Sequence, residues 1–315
     1  MEKWNTPKKP RIGIYTMGLK AYWNQFPGLR ERLLHYGQFI AEKIAEMDAE
    51  VFFYGLADCE EAGESCGEFF NAKNVDLIFA HAGTYVNSSS VLPIHQICKA
   101  PVIILNLQPT ARIAYDRTTT GEWLAHCGAC PVPELSNAFH RSGISCRIIN
   151  GLLGLDHTPD ISLTDENTAA RPEAVRAWKE ISEWVKAASV KRELSGCRFG
   201  FLGNTYNGML DMYSDFTMVQ AQTGAHIEIL EMCDLDRMLR QVTEDEVEKK
   251  KAEIREFFLI SDDKAADPLA QRPTEEQLDW SARVAAAQER LVREYRLDAL
   301  TYYYHGAPGG AYEKL

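Results

Sequence analysis

Long apolar runs are missing from this 315-residue chain. None approaches the ~20 residues that a bilayer-spanning helix needs, which argues against a membrane partner. Basic residues are also scarce: 34 Lys and Arg stand against 45 Asp and Glu, a formal charge of -11. A nucleic-acid partner needs the opposite balance, because phosphates are held by surplus cations. A secretory leader is not evident either. Met1 to Pro10 is polar and lysine-bearing, with no apolar core after it, so the expected compartment is the cytoplasm. The eight cysteines are scattered, and in that compartment they are expected to be reduced thiols rather than a disulfide framework.

Several catalytic signatures are absent as well. A dinucleotide site needs G-x-G-x-x-G between a strand and a helix, so that the backbone can approach a pyrophosphate. After the first apolar strand the chain reads Gly18-Leu19-Lys20-Ala21-Tyr22-Trp23, where two aromatics and a lysine would crowd a phosphate. There is no Walker A pattern and no G-x-S-x-G elbow; Ser88-Ser89-Ser90 follows a strand but reads as a loop without that elbow. His126-Cys127-Gly128-Ala129-Cys130 has the spacing of half a zinc site, yet no second C-x-x-C follows. These two thiols are expected to be buried and inert.

What remains is a regular alternation of apolar strands and helical patterns. Arg11–Met17, Val51–Leu56, Val75–Ala80, Val102–Leu107 and Ile144–Ile149 read as buried strands, separated by stretches such as Leu29, Leu33, Tyr36, Ile40 and Ile44 at helical spacing. Strands alternating with helices imply an α/β fold whose parallel sheets carry helices on both faces. Gly154–Arg171 loses periodicity and reads as a junction, giving two domains, 1–170 and 171–315. Pro172 opens the next helix, which carries a stripe of Val175, Trp178, Ile181 and Val185. Arg198–Leu202, His226–Leu230 and Ala299–Tyr304 are the later strands. Gly224 is expected to close a helix, and Thr243 with Glu246 and Thr274 with Gln277 to form capping boxes.

Ligands of open α/β sheets gather at the carboxyl ends of the strands. The polar and aromatic residues expected there are Lys20, Tyr22 and Trp23, then His81, Thr84 and Tyr85, then Asn106-Leu107-Gln108-Pro109 and the Asn204–Tyr206 loop. Aromatic faces beside hydrogen-bonding groups suit a sugar, which offers both CH faces and hydroxyls. The plainer reading is that these are turn residues. His126, Glu134 and His140 are an acid–base candidate set, with solvated or network histidines as the alternative.

Four segments together resemble the sugar isomerases of the L-arabinose and L-fucose isomerase kind. Gly203-Asn204-Thr205-Tyr206-Asn207-Gly208 leads to Gln220-Ala221-Gln222-Thr223-Gly224 and His226-Ile227-Glu228-Ile229, like the family's second domain. Val102–Pro109 resembles its strand ending in Asn-x-Gln-Pro, Glu134–Ile144 the following helix, and Ala299–Tyr304 the strand before its catalytic segment. The resemblance implies two Rossmann-like domains followed by a catalytic domain, assembly as a trimer or hexamer, and aldose–ketose isomerisation through an enediol on Mn²⁺ held by two glutamates and two histidines. It places Lys20, Tyr22, Trp23, His126, Tyr206 and Tyr304 at sugar-contacting positions. Lys20, Tyr22 and Tyr206 differ in type from the residues of arabinose isomerases. The metal ligands would lie beyond Leu315, so this chain is expected to bind no metal and to be inactive alone. A sugar-binding or assembly module with a periplasmic-receptor-like shape is the rival reading.

Overall fold

The computed structural model describes residues 8–159, 162–163, 167–205, 208–262, 266–267, 269, 271–303, 308–310 and 312–315. The chain divides into two compact units, Pro7–Arg192 and Glu193–Leu315. The fold class is the expected one: α/β, with two parallel sheets flanked by helices, in the manner of Rossmann-like domains. No helix among the described residues is long and apolar enough to cross a membrane.

The first unit runs β1 (Arg11–Met17), α1 (Leu29–Ala45), β2 (Glu50–Ala57), α2 (Glu60–Ala72), β3 (Leu77–His81), α3 (Ser88–Ile97), β4 (Val102–Gln108), α4 (Thr120–Leu124), α5 (Pro131–Arg141), β5 (Cys146–Leu152) and α6 (Pro172–Leu194). Its five strands are parallel, in the order β2-β1-β3-β4-β5. Strand periodicity sorts their side chains into two cores. Ile12 and Ile14 of β1, Leu77 and Phe79 of β3, and Ile103 and Leu105 of β4 pack with α1 and α6. Tyr15, Met17, Ile78, Ala80, Val102 and Ile104 face the opposite way, toward α2, α3 and α5. Burial on both faces explains why these strands read as unbroken apolar runs rather than alternating ones.

The junction differs from the one expected at residue 170. Ala177, Trp178, Ile181, Val185 and Ala188 of α6 belong to the first unit's core, and the Trp178 indole N–H donates to the Leu153 carbonyl at 2.8 Å. Helices α2, α3 and α5 line one face of the sheet, leaving α1 and the short α4 to cover only part of the other. The chain after β5 swings back to cover the rest, which carries the boundary to Arg192. Ser88–Ser90 also differ, heading α3 rather than forming a loop.

β2 carries an irregularity. Its register against β1 slips between Ile14 and Tyr15, which pair with Phe53 and Gly55. The extra residue, Tyr54, makes a bulge, and Gly55 supplies the φ of 105° there. The bulge inverts the facing of the residues after it: Leu56 joins the α1 core and Ala57 the α2 core.

The second unit contains β6 (Arg198–Leu202), α7 (Phe216–Thr223), β7 (His226–Leu230), α8 (Met232–Leu239), α9 (Glu244–Phe257), α10 (Glu275–Tyr295) and β8 (Ala299–Tyr302), with strand order β7-β6-β8. Gly224 closes α7 in the left-handed conformation, and both threonine capping boxes form. Its core, built on Leu202, Leu230, Leu235, Met238, Ala286 and Leu291, lies on the side of α8, α9 and α10. Cover is uneven: among the described residues only the short α7 approaches the other face, through Phe216 against Phe201, and Ile229 stays 63% exposed.

Candidate functional site

In a parallel sheet of order 2-1-3-4-5 the crossovers leave β1 in opposite directions, opening a crevice at the carboxyl ends of β1 and β3. The segment after β1 does not turn straight into a helix. Gly18 to Gly28 intervene, with a 3-10 turn over Lys20–Tyr22. The tight strand-to-helix turn on which a dinucleotide phosphate would dock is therefore not formed after β1.

The individual residues after β1 separate in role. Lys20 is exposed, and its charge lies toward Glu61 on the first turn of α2. Trp23 is committed to structure: its indole N–H donates to Asp58 Oδ2 at 2.6 Å, and its ring lies over Gly18, where a Cβ would come within 2.8 Å. Tyr22 is half-buried, edge-on to Phe26 at 5.8 Å, and within electrostatic reach of Tyr85, Cys127 and Cys130. Burial raises its phenol pKa, and the two nearby thiols add to the rise.

After β3, His81 and Thr84 are fully buried rather than presented to a ligand. The His81 ring meets Thr16 Oγ1 at 3.3 Å, and burial lowers its pKa to about 3. Tyr85, half-buried, donates its hydroxyl to Glu134 Oε2 at 3.0 Å. The other oxygen of Glu134 accepts from the Ser88 N–H at 2.9 Å, so this carboxylate caps the start of α3. The hydrogen bond to Glu134 is the main cause of the raised Tyr85 pKa. After β4, Gln108 donates to Asn106 Oδ1 at 3.1 Å, and Asn106 donates to Asn150 Oδ1 at 2.8 Å. This amide chain runs across the tops of β4 and β5.

His126 sits in a closed network. Its Nδ1 is 2.9 Å from the Glu122 carbonyl, which can only accept, so Nδ1 carries the proton. Burial lowers its pKa and keeps the ring neutral, leaving Nε2 to accept from the Thr110 hydroxyl at 3.1 Å. Below it, Arg32 grips both oxygens of Glu122, one at 2.9 Å. That ion pair, with its hydrogen bond first among the causes, lowers the Glu122 pKa and raises that of Arg32. His140 is exposed in the last turn of α5 and joins neither group.

The cysteine pair departs from the expectation that both thiols are buried. Cys127 is buried, but Cys130 is exposed and is the residue from which α5 starts. Gly128 between them sits against the strand ends, where a Cβ would lie 2.5 Å from the Ala82 carbonyl oxygen.

The structure therefore gathers Tyr22, Tyr85, Glu134 and Cys130 at one place, turns Trp23 and His126 inward, and leaves Lys20 at the edge. Tyr206 and Tyr304 lie outside the described residues, and Asn204 is exposed, accepting from the neighbouring Thr205 N–H at 2.8 Å. Sequence reasoning missed Arg32, Asp58 and Thr110. Of these only Thr110, directly after Asn-x-Gln-Pro, carried a local signal. Open grooves of about 390 Å³ beside Phe216 and Ile229, and about 510 Å³ beside Lys179 and Trp184, bring together none of these groups.

No cluster of three or more His, Cys, Asp or Glu among the described residues is placed to hold a metal ion. The described residues form no Mn²⁺ cage of the kind the isomerase resemblance implies. No protein-family model matches the chain, and no curated protein matches it in sequence.

Proposed function

We propose that the first unit binds a small neutral sugar at its strand-end crevice, and that the chain is the substrate-binding front of a cytoplasmic aldose–ketose isomerase of the L-arabinose/L-fucose kind. The observation that supports this reading is the placement of Tyr22 after β1 and Tyr85 after β3, within electrostatic reach of each other, with Glu134 holding the Tyr85 hydroxyl. Two aromatic faces with phenolic oxygens match the alternating CH and OH surface of a sugar. The neighbouring amides of Asn106 and Gln108 add donors and acceptors. In this reading the chain's own residues bind and orient the sugar. In the complete enzyme, Mn²⁺ and the residues that hold it would supply the polarisation of the carbonyl, and the assembly would be a trimer or hexamer.

Saturation-transfer NMR with a panel of aldoses, ketoses and polyols tests the binding. Tyr22→Phe and Tyr85→Phe should each weaken the best ligand about 5- to 10-fold, the loss of one net hydrogen bond. A ligand whose affinity ignores both changes, or no saturation transfer from any sugar, would overturn the assignment. The 315-residue chain with Mn²⁺ should not interconvert an aldose and a ketose. Turnover would show that the division of labour is wrong, whereas tight binding with no effect in any larger assembly would favour the binding-module reading.

A further inference from the structure

The turn that joins α4 to α5 brings two thiols together in unequal surroundings. Residues Cys127–Ala129 form a 3-10 turn, and the Cys130 N–H donates to the Cys127 carbonyl at 3.2 Å. In such a turn the side chains of residues three apart eclipse one another. The two thiols are within hydrogen-bonding reach of each other, and drawing the β-carbons in to the about 3.8 Å of a disulfide asks only for a small shift of the turn. Cys127 is 5% exposed, whereas Cys130 stands at the surface where α5 begins. Burial and the neighbouring thiol push Cys127 up to about 12, so it stays protonated while Cys130 meets solvent. Gly128, wedged against the Ala82 carbonyl, fixes the turn that sets the pair.

We propose that Cys127 and Cys130 are a reactive dithiol that exchanges with small disulfides of the glutathione class to form an internal disulfide. The Cys130 thiolate attacks one sulfur of the small disulfide, breaks its S–S bond and releases one thiolate. Cys127 Sγ then attacks Cys130 Sγ, and the second small thiol departs with the proton that Cys127 gives up. Two protein thiols are oxidised and one small disulfide is reduced to two thiols. The pair is within electrostatic reach of Tyr22 and Tyr85, so its oxidation would be felt at the mouth of the crevice. This inference does not depend on the sugar reading.

The test treats the folded 315-residue chain with oxidised glutathione, quenches in acid, alkylates, digests and maps peptides by mass. The peptide holding both cysteines should be unalkylated and lighter by about 2 Da, the two hydrogens lost on disulfide formation, and dithiothreitol should reverse it. Exposed Cys233 on α8 should carry a glutathione adduct, which confirms that the reagent acted. If Cys233 is modified while Cys127 and Cys130 are both alkylated, or carry separate adducts, the proposal fails. Cys127→Ser gives a second reading: it should trap glutathione on Cys130, and a Cys130 that stays alkylatable in this variant would also refute it.

Discussion

Two buried imidazoles make the first unit sensitive to acid, and the size of the effect comes from their surroundings. His81 is 1% exposed against Thr16, and His95 is 2% exposed, with Nε2 3.1 Å from the Tyr15 hydroxyl and the ring 4.9 Å from that of Phe139. Burial lowers both from 6.5 to about 3. Between those values the unfolded chain binds more protons than the native one, so stability is full above pH 6.5 and falls as the solution is acidified toward 3. Each imidazole contributes a slope of about 1.4 kcal/mol per pH unit, so the pair removes about 5 kcal/mol by pH 4.5. That is the scale of a whole domain's stability, ~5–15 kcal/mol. His95→Gln keeps a polar group near the Tyr15 hydroxyl and cannot be charged. Urea unfolding followed by tryptophan fluorescence between pH 7 and 4.5 should show the pH slope of the first unit reduced by about 1.4 kcal/mol per pH unit in this variant. An unchanged slope would refute the assignment of the acid sensitivity to His95.

Other perturbations address single contacts. Gly128→Ala places a methyl 2.5 Å from the Ala82 carbonyl oxygen and should cost about 1–3 kcal/mol, read as a lower thermal midpoint. Glu134→Gln removes the charge that the Tyr85 hydroxyl and the Ser88 N–H share; the Tyr85 pKa should fall back toward the ordinary phenol value, seen by carbon-13 NMR of its ring. Thr274→Ala deletes the capping box of α10 and should destabilise the second unit by about 1 kcal/mol in chemical denaturation, leaving the first unit's transition in place.

The sequence made much of this architecture legible because apolar periodicity is local. Arg11–Met17, Arg198–Leu202 and His226–Leu230 are strands with the bounds expected of them, and Pro172 does open a helix. The owner of that helix was not legible. Its apolar stripe says that one face is buried, but not against which sheet, and the vacancy beside α1 exists only after five strands have assembled. The site divides in the same way. Tyr22 could be named from its place after a strand, but the loss of Trp23 to Asp58 and of His126 to Thr110 and Glu122 depends on contacts between segments. Arg32 and Glu122 are 90 residues apart, and no spacing rule connects them. The cysteine pair was misjudged because C-x-x-C alone does not reveal that one thiol is covered and the other opens a helix.

The doubled position at Tyr54 and Gly55 bears on how the protein behaves when crowded. Among the described residues β2 is an outer strand of its sheet, and an outer edge is where an extended chain could add to the ladder. One surplus residue breaks the even spacing of the strand's N–H and C=O groups partway along, so an incoming strand can match only one half at a time. Removing Tyr54 would restore an unbroken row of bonding groups along the rim and invite copies of the protein to zip together.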